Sequence, residues 1–230
     1  MATHQLILTL DLLGVFANGL LGGAAARSRD LDLFGFAAIG LCSGLGGGII
    51  RDILLMHGTP VALTNSAYIP TALAGTAVAF AVQIEHKTWD RAFILVDAAA
   101  LSLWATAGAL KALDDGLGWL PEVLIGTIAA IGGAVTRDVM LQRVPAVFTQ
   151  GTLYATVAIF VAAIQVIFVR TPGLSTGGGT TLAIAVGVGL RLIAYWRNWQ
   201  LPRGLDWKIG QRAEEAPGGQ RQPDAPDGGY

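Results

Sequence analysis

The sequence predicts an all-α membrane protein of seven transmembrane helices, arranged as two inverted three-helix repeats with a seventh helix outside them. Three observations predict it. The 230-residue chain is 53% hydrophobic and 13% charged, about half the ~25% charge of soluble domains, and its mean hydropathy is +0.57. Its 31 glycines are well above the usual ~7% and suit helices that must approach closely where lipid removes the hydrophobic driving force. Finally, the first half matches the second at a constant shift of 86 residues. The same composition excludes a disordered chain. A net charge of −1 argues against a nucleic-acid partner. The single cysteine, Cys42, is too few for an internal disulfide or a thiolate metal cluster.

A helix crossing ~30 Å of hydrocarbon needs about 20 apolar residues. Seven segments meet that test, at about 5–26, 31–56, 66–84, 91–113, 118–142, 149–169 and 180–196. Ala24-Ala25-Ala26 resembles a signal-peptide cleavage site, but the first five residues carry no Lys or Arg, which such a peptide needs. The first segment is therefore read as a mature helix. Residues 1–203 form the membrane domain, with repeat one at about 5–85, repeat two at about 91–170 and helix seven at about 180–196. Residues 204–230, polar and rich in Pro and Gly, read as a disordered tail.

Orientation follows from the Lys and Arg residues flanking the spans. Arg27, Arg29, Lys87, Arg91, Arg143, Arg197, Arg203, Lys208, Arg212 and Arg221 fall on one side, and only Lys111 and Arg170 on the other. This places the N-terminus outside and the C-terminus, with its tail, in the cytoplasm. Trp89, Trp119, Trp196 and Trp199 stand at span ends, as an interfacial belt should.

The 86-residue shift carries Asp11 onto Asp97, Gly22 onto Gly108 and Gly40 onto Gly126. It also carries Gly46-Gly47 onto Gly132-Gly133, Arg51-Asp52 onto Arg137-Asp138 and Tyr68 onto Tyr154. Each copy holds an odd number of spans, so the second must cross the membrane in the opposite sense. Inverted repeats of this kind belong to transport proteins whose site lies near the midplane. Gly44, Gly46, Gly47 and Gly48 interrupt the second span, and Gly132 and Gly133 the fifth. Each costs about 1 kcal/mol of helix propensity relative to Ala, so both spans are expected to bend or unwind there. Close helix packing through small residues is the alternative; glycine clusters at equivalent positions of an inverted repeat favour a transport site. A nucleotide-binding loop fails, because no strand precedes the glycines.

Seven ionisable residues lie inside spans: Asp11, Arg51, Asp52, Asp97, Arg137, Asp138 and Arg191. Such groups face the bundle interior, a partner or water. At about 1.5 Å per residue, Asp11 and Arg51 reach similar depths from the outer side, and Asp97 and Arg137 match on the inner side. The pairs Asp11–Arg51 and Asp97–Arg137 are therefore expected to bracket a path at its two ends, as pore residues or as ion pairs that hold the bundle together. Adjacent helical residues project about 100° apart, so Arg51 and Asp52 are expected to serve different partners. Four Asp against three Arg mildly favours cations.

The elements Gly44-Leu-Gly-Gly-Gly-Ile-Ile-Arg51-Asp52, Gly132-Gly-Ala-Val-Thr-Arg137-Asp138 and the closing Arg191…Trp199-Gln200-Leu201-Pro202 resemble the prokaryotic trimeric intracellular cation (TRIC) channel family, also described in bacteria as a glycine transporter domain. The resemblance covers about residues 6–203. It implies a homotrimer in the lipid bilayer of the inner (plasma) membrane, with an hourglass pore in each protomer between the second and fifth helices, kinked at the glycines. The implied activity is passive conduction of monovalent cations, K+ above all and Na+ second. It implies no catalytic residue, metal or cofactor, while a structural lipid in the trimer interior fits. By motif match Gly46, Gly47, Gly48, Gly132 and Gly133 are the kinks, and Arg51, Asp52, Arg137 and Asp138 the polar pore-region residues. The second element departs from the pattern, reading Gly-Gly-Ala. A secondary transporter of glycine or another small solute is the competing reading, since broken helices at a midplane serve a substrate carboxylate equally well. An enzyme is disfavoured, because no His-Glu-x-x-His or nucleophile-base set is present.

Overall fold

A computed structural model describes residues 2–29, 31–56, 58–82, 86–148 and 153–199; the tail at 204–230 lies outside them. The described residues form α1 (Ala2–Arg27), α2 (Leu33–Leu54), the single turn α3 (Val61–Thr64), α4 (Tyr68–Ala81), α5 (His86–Asp114), α6 (Trp119–Met140), α7 (Tyr154–Arg170) and α8 (Thr176–Trp196). Each of the seven apolar segments coincides with one of the longer helices. Five of these, α1, α2, α5, α6 and α8, contain stretches long and apolar enough to cross a membrane. α4 and α7 have only 14 and 17 residues, about 21 and 26 Å at about 1.5 Å per residue. They occupy equivalent places in the two repeats, so the shortening is itself a repeated feature.

Local chemistry sets the helix boundaries. Asp32 caps α2, its carboxylate accepting from the Gly35 N–H at 2.8 Å, and Ser175 caps α8 by accepting from Gly178 at 3.1 Å. The Ser175 cap satisfies a donor that would otherwise be orphaned. It starts α8 at Thr176, four residues before the apolar segment at about 180–196, and carries the helix through Gly177 and Gly178. α2 and α6 end alike, on Met56 (φ 55°) and Gln142 (φ 53°), which are 86 residues apart.

α1, α2 and α4 pack together as one unit, and α5, α6 and α7 as another, with α8 laid against α5 and α7. The glycine contacts inside the two units correspond. A Cβ on Gly22 would lie 3.0 Å from the Gly40 Cα, and one on Gly108 would lie 2.9 Å from the Gly126 Cα. The units join along α1 and α5 and where α2 crosses α6. There Gly47 faces Gly133, and Gly132 comes within 2.9 Å (from its Cβ position) of the Gly47 Cα. A residue touching its own equivalent is the mark of a two-fold relation.

The expected interruption of the glycine spans takes a different form. α2 and α6 are α-helical without a break through Gly44–Gly48 and Gly132–Gly133. All six glycines are buried. Their missing side chains let two backbones touch, and that contact offsets the propensity cost.

The core contains a buried side chain with both polar atoms unsatisfied. Gln165 of α7 is 1% exposed, and neither its amide nitrogen nor its amide oxygen has a hydrogen-bond partner among the described residues. It sits among Leu110, Leu113, Val166 and Val169, with the Glu122 side chain nearby but not bonded to it. An unsatisfied buried polar group costs about 1–3 kcal/mol. Gln165→Leu is therefore expected to raise the midpoint of thermal unfolding in detergent by an amount equivalent to about 1 kcal/mol; a lowered midpoint would show that the amide is satisfied in the assembled protein.

Candidate functional site: two charged clusters either side of a glycine crossing

The first cluster is assembled by the α2 C-terminus. Arg51 donates to both oxygens of Asp11 on α1, Nη1 to Oδ1 at 2.7 Å and Nη2 to Oδ2 at 2.8 Å. Its Nε donates to Asp52 Oδ1 at 2.9 Å. Tyr68 on α4 donates its hydroxyl to Asp11 Oδ2 at 2.9 Å. Asp52 also accepts from the Val61 N–H at 2.9 Å and from Lys111 Nζ on α5 at 2.7 Å. Arg51, Asp11 and Asp52 are at most 1% exposed. Arg51 also lies over the Trp104 ring, 5.4 Å from its centroid. Two carboxylates and two cations cancel, and every oxygen of both carboxylates has a donor. Fork-to-carboxylate geometry is the strong form of such a pair.

A cavity of about 550 Å³ lies against this cluster. Asp11, Tyr68 and Lys111 contribute to its wall, together with His4, Asp114 and Asp115. Part of the charged cluster thus fronts a space lined by titratable side chains.

The second cluster repeats the design with a different cation. Arg137 Nε donates to Asp138 Oδ1 at 2.9 Å, as Arg51 does to Asp52. Asp138 Oδ2 accepts from the Ala146 N–H at 3.1 Å, matching Val61. Tyr154 donates to Asp97 at 3.2 Å, matching Tyr68 on Asp11. The expected partner of Asp97 is replaced, however: Arg191 of α8 donates to Asp97 Oδ2 at 3.1 Å and stacks over the Tyr154 ring, 4.7 Å from its centroid. Among the described residues Arg137 bonds Asp138 and makes no hydrogen bond to Asp97. The seventh helix lies outside the repeat and brings in a guanidinium that has no counterpart in the first half. The expected Asp97–Arg137 pair is corrected accordingly, and the expected Asp11–Arg51 pair is present.

Arg51 and Asp52 do serve different partners, Asp11 for the first and Lys111 with the Val61 N–H for the second, and they also bond each other. The long arginine side chain folds back so that its Nε bonds the neighbouring carboxylate while its terminal nitrogens reach Asp11. Tyr68, Tyr154 and Lys111 complete the clusters and were missed as site residues. The tyrosines were visible as a repeated pair, whereas Lys111 looked like an ordinary flanking cation. Its neighbour Asp52 and the second cluster's Asp97 locate the clusters relative to each other. Lys111 and Asp97 are 14 positions apart on α5, about 21 Å along its axis. The C-termini of α2 and α6 therefore sit toward opposite ends of α5.

Between the clusters lies the crossing. A Cβ on Gly47 would strike the Ala129 carbonyl, and one on Gly133 the Ser43 carbonyl. Gly46 faces Thr136, and Gly48 faces Trp104. The departure of the second glycine element follows from this last contact. The equivalent of Trp104 is Asn18, so Ala134, the equivalent of Gly48, has no indole opposite it in the corresponding place.

Comparison with known proteins agrees with this arrangement. A family described as a glycine transporter matches the chain twice, over residues 8–83 and 94–170, the two starts differing by the same 86 residues. A UPF0126 membrane protein of Deinococcus radiodurans is 39% identical over 150 residues, 65% of this chain and 70% of that protein. The UPF0126 inner membrane protein YadS of Escherichia coli is 24% identical over 199 residues, 86% of this chain and 96% of that protein. Among solved structures, one determined for the structural basis of conductance through TRIC cation channels superposes with a TM-score of 0.77 at 27% identity, covering 85% of this chain and 96% of that one. The TRIC trimeric intracellular cation channel orthologue from Rhodobacter sphaeroides superposes with a TM-score of 0.76 at 26% identity, covering 83% and 98%. With its duplicated sequence, glycine crossing and helical architecture, the chain is similar to solved TRIC cation channel structures and belongs to the glycine transporter family of multi-pass membrane proteins.

Proposed function

We propose that this chain forms a cation channel of the inner membrane, passing K+ and, less readily, Na+ by passive conduction through one pore in each protomer of a homotrimer. The observation that carries the reading is the crossing of α2 and α6 at equivalent glycines, with a charge-balanced cluster at either end. Its likeness to TRIC channels over more than four-fifths of the chain adds support. In this reading all seven long helices cross the bilayer, the short α4 and α7 included. The halves are inverted, the N-terminus is outside, and the tail at 204–230 is cytoplasmic. The permeation path runs from the cavity beside Asp11 past the crossing to the Asp97 cluster. The glycines let α2 and α6 bend and slide against each other, which opens it. A lipid fills the trimer interior.

The test is purified protein in planar bilayers under a KCl gradient. Unitary currents reversing near the K+ equilibrium potential are expected. Electrically silent bilayers combined with saturable glycine uptake into liposomes would replace the channel with a small-solute transporter. The glycine transporter description of the family makes that the specific alternative to test.

A further inference from the structure

We propose that Trp104 is a steric plug that closes one half of the path between α2 and α6, an assignment that rests on the channel reading above. Trp104 belongs to the second repeat but inserts into the first. Its indole occupies the space that side chains on two other helices would need. A Cβ on Gly14 of α1 would come within 2.6 Å of the indole nitrogen, and one on Gly48 of α2 within 2.8 Å of the far edge of the ring. The ring is 1% exposed, and the indole nitrogen has no hydrogen-bond partner among the described residues. Buried indoles normally find one.

Three local rules are therefore broken to seat this side chain. Glycine stands in two helix interiors, and a buried donor goes unsatisfied. Violations concentrated at one point are what a functional position looks like when the rest of the fold is consistent. The place is one residue from the Gly47–Gly133 contact, directly under the Arg51 guanidinium that lies over the same ring. The Arg51–Asp11 pair thus holds the lid of the path, and the indole fills the space beneath it.

Internal symmetry supplies the comparison. The equivalent of Trp104 is Asn18, whose amide lies beside Gly133, 3.0 Å from where a Cβ would be. One half of a two-fold path is stopped by a nine-atom aromatic ring, while the other ends on a short polar amide. The indole belongs to the main apolar core and is seated by Gly14 and Gly48, where the other half carries Ala100 and Ala134. A barrier is needed only once along the path, and the ring and its seat occur together in one half only.

The experiment is K+ efflux from liposomes loaded with KCl and containing the full-length protein, wild type beside Trp104→Ala and Trp104→Leu. Leucine keeps the core filled with apolar atoms but no longer reaches Gly48, so it carries the test if the alanine variant fails to yield monodisperse, helical protein. Efflux is expected to rise at least tenfold with alanine and at least threefold with leucine. The converse change, Asn18→Trp with Ala100→Gly and Ala134→Gly, builds a second plug and is expected to lower efflux at least threefold below wild type. A conducting wild type whose Trp104 variants stay within twofold of it overturns the plug and leaves the channel standing. Absence of K+ efflux from wild type and every variant overturns the channel reading, and the plug with it.

Discussion

Arg51→Ala is expected to be the most damaging single change to stability in this protein. It removes the donor fork from Asp11 and the Nε bond from Asp52, leaving two carboxylates almost fully buried. Tyr68 still serves Asp11, and Lys111 and the Val61 N–H still serve Asp52, but one negative charge is uncompensated. Breaking a buried pair by deleting one partner costs about 3–5 kcal/mol. The equivalent change in the other half, Arg137→Ala, strands Asp138 with only the Ala146 N–H, but is expected to cost about 1–2 kcal/mol less on the same scale, because Arg137 and Asp138 are 8% and 6% exposed and Asp97 keeps Arg191. Thermal unfolding of the two variants side by side measures this. Equal losses would mean that the Arg191 contact does not substitute for the missing arginine.

Gly47→Leu carries the second large effect. The first carbon of any side chain at this position meets the Ala129 carbonyl, which is backbone and cannot rotate away. Overpacking usually costs about 1–3 kcal/mol; with two helix backbones to separate, this case lies at the upper end. Because the contact joins the two halves, the variant is expected to lose the α2–α6 interface as well as cation flux. Gly133→Leu, which meets the Ser43 carbonyl, should behave alike. Gly189→Ala is the control: nothing lies within 4 Å of its Cβ position, so it should be neutral or stabilising by up to about 1 kcal/mol. Melting temperature together with K+ flux separates the outcomes. A Gly47→Leu protein that melts like wild type and still conducts would show that the crossing is not a tight joint.

The sequence revealed the architecture because its signals repeat. Apolar segments of spanning length located every long helix, and the 86-residue shift placed Asp11, Arg51, Gly47 and their equivalents in corresponding positions. It also paired Asp11 with Arg51 correctly, since depth along two helices is simple arithmetic. Depth does not resolve rotation about a helix axis or the reach of a side chain, and the misreadings arise there. Arginine spans far enough to bond its own neighbour, so Arg51 and Asp52 pair with each other, while the roughly 100° between them still sends each to its own further partner. Arg191 and Arg137 both lie near Asp97 in depth; which of them makes the hydrogen bond depends on how α8 packs, and α8 has no repeat partner to reveal it. The glycine clusters were read through propensity, a local quantity. The helices stay continuous because a second helix fills the space the side chains leave, and a scan of one segment cannot see its neighbour.

The correspondence of Trp104 with Asn18 bears on the value of joining the halves in one chain. Two separate copies of a single half, meeting across a two-fold axis, would be obliged to carry the same residue at both places, either two indoles or two amides. Two indoles would obstruct both directions of approach, and two amides would obstruct neither. Linking the copies covalently frees each position to change alone, so a frame with nearly equal ends acquires a distinct front and back. Any ion traversing it meets its obstacles in an order that depends on the direction of travel, and the current–voltage relation should be unequal about zero even in identical salt on both sides.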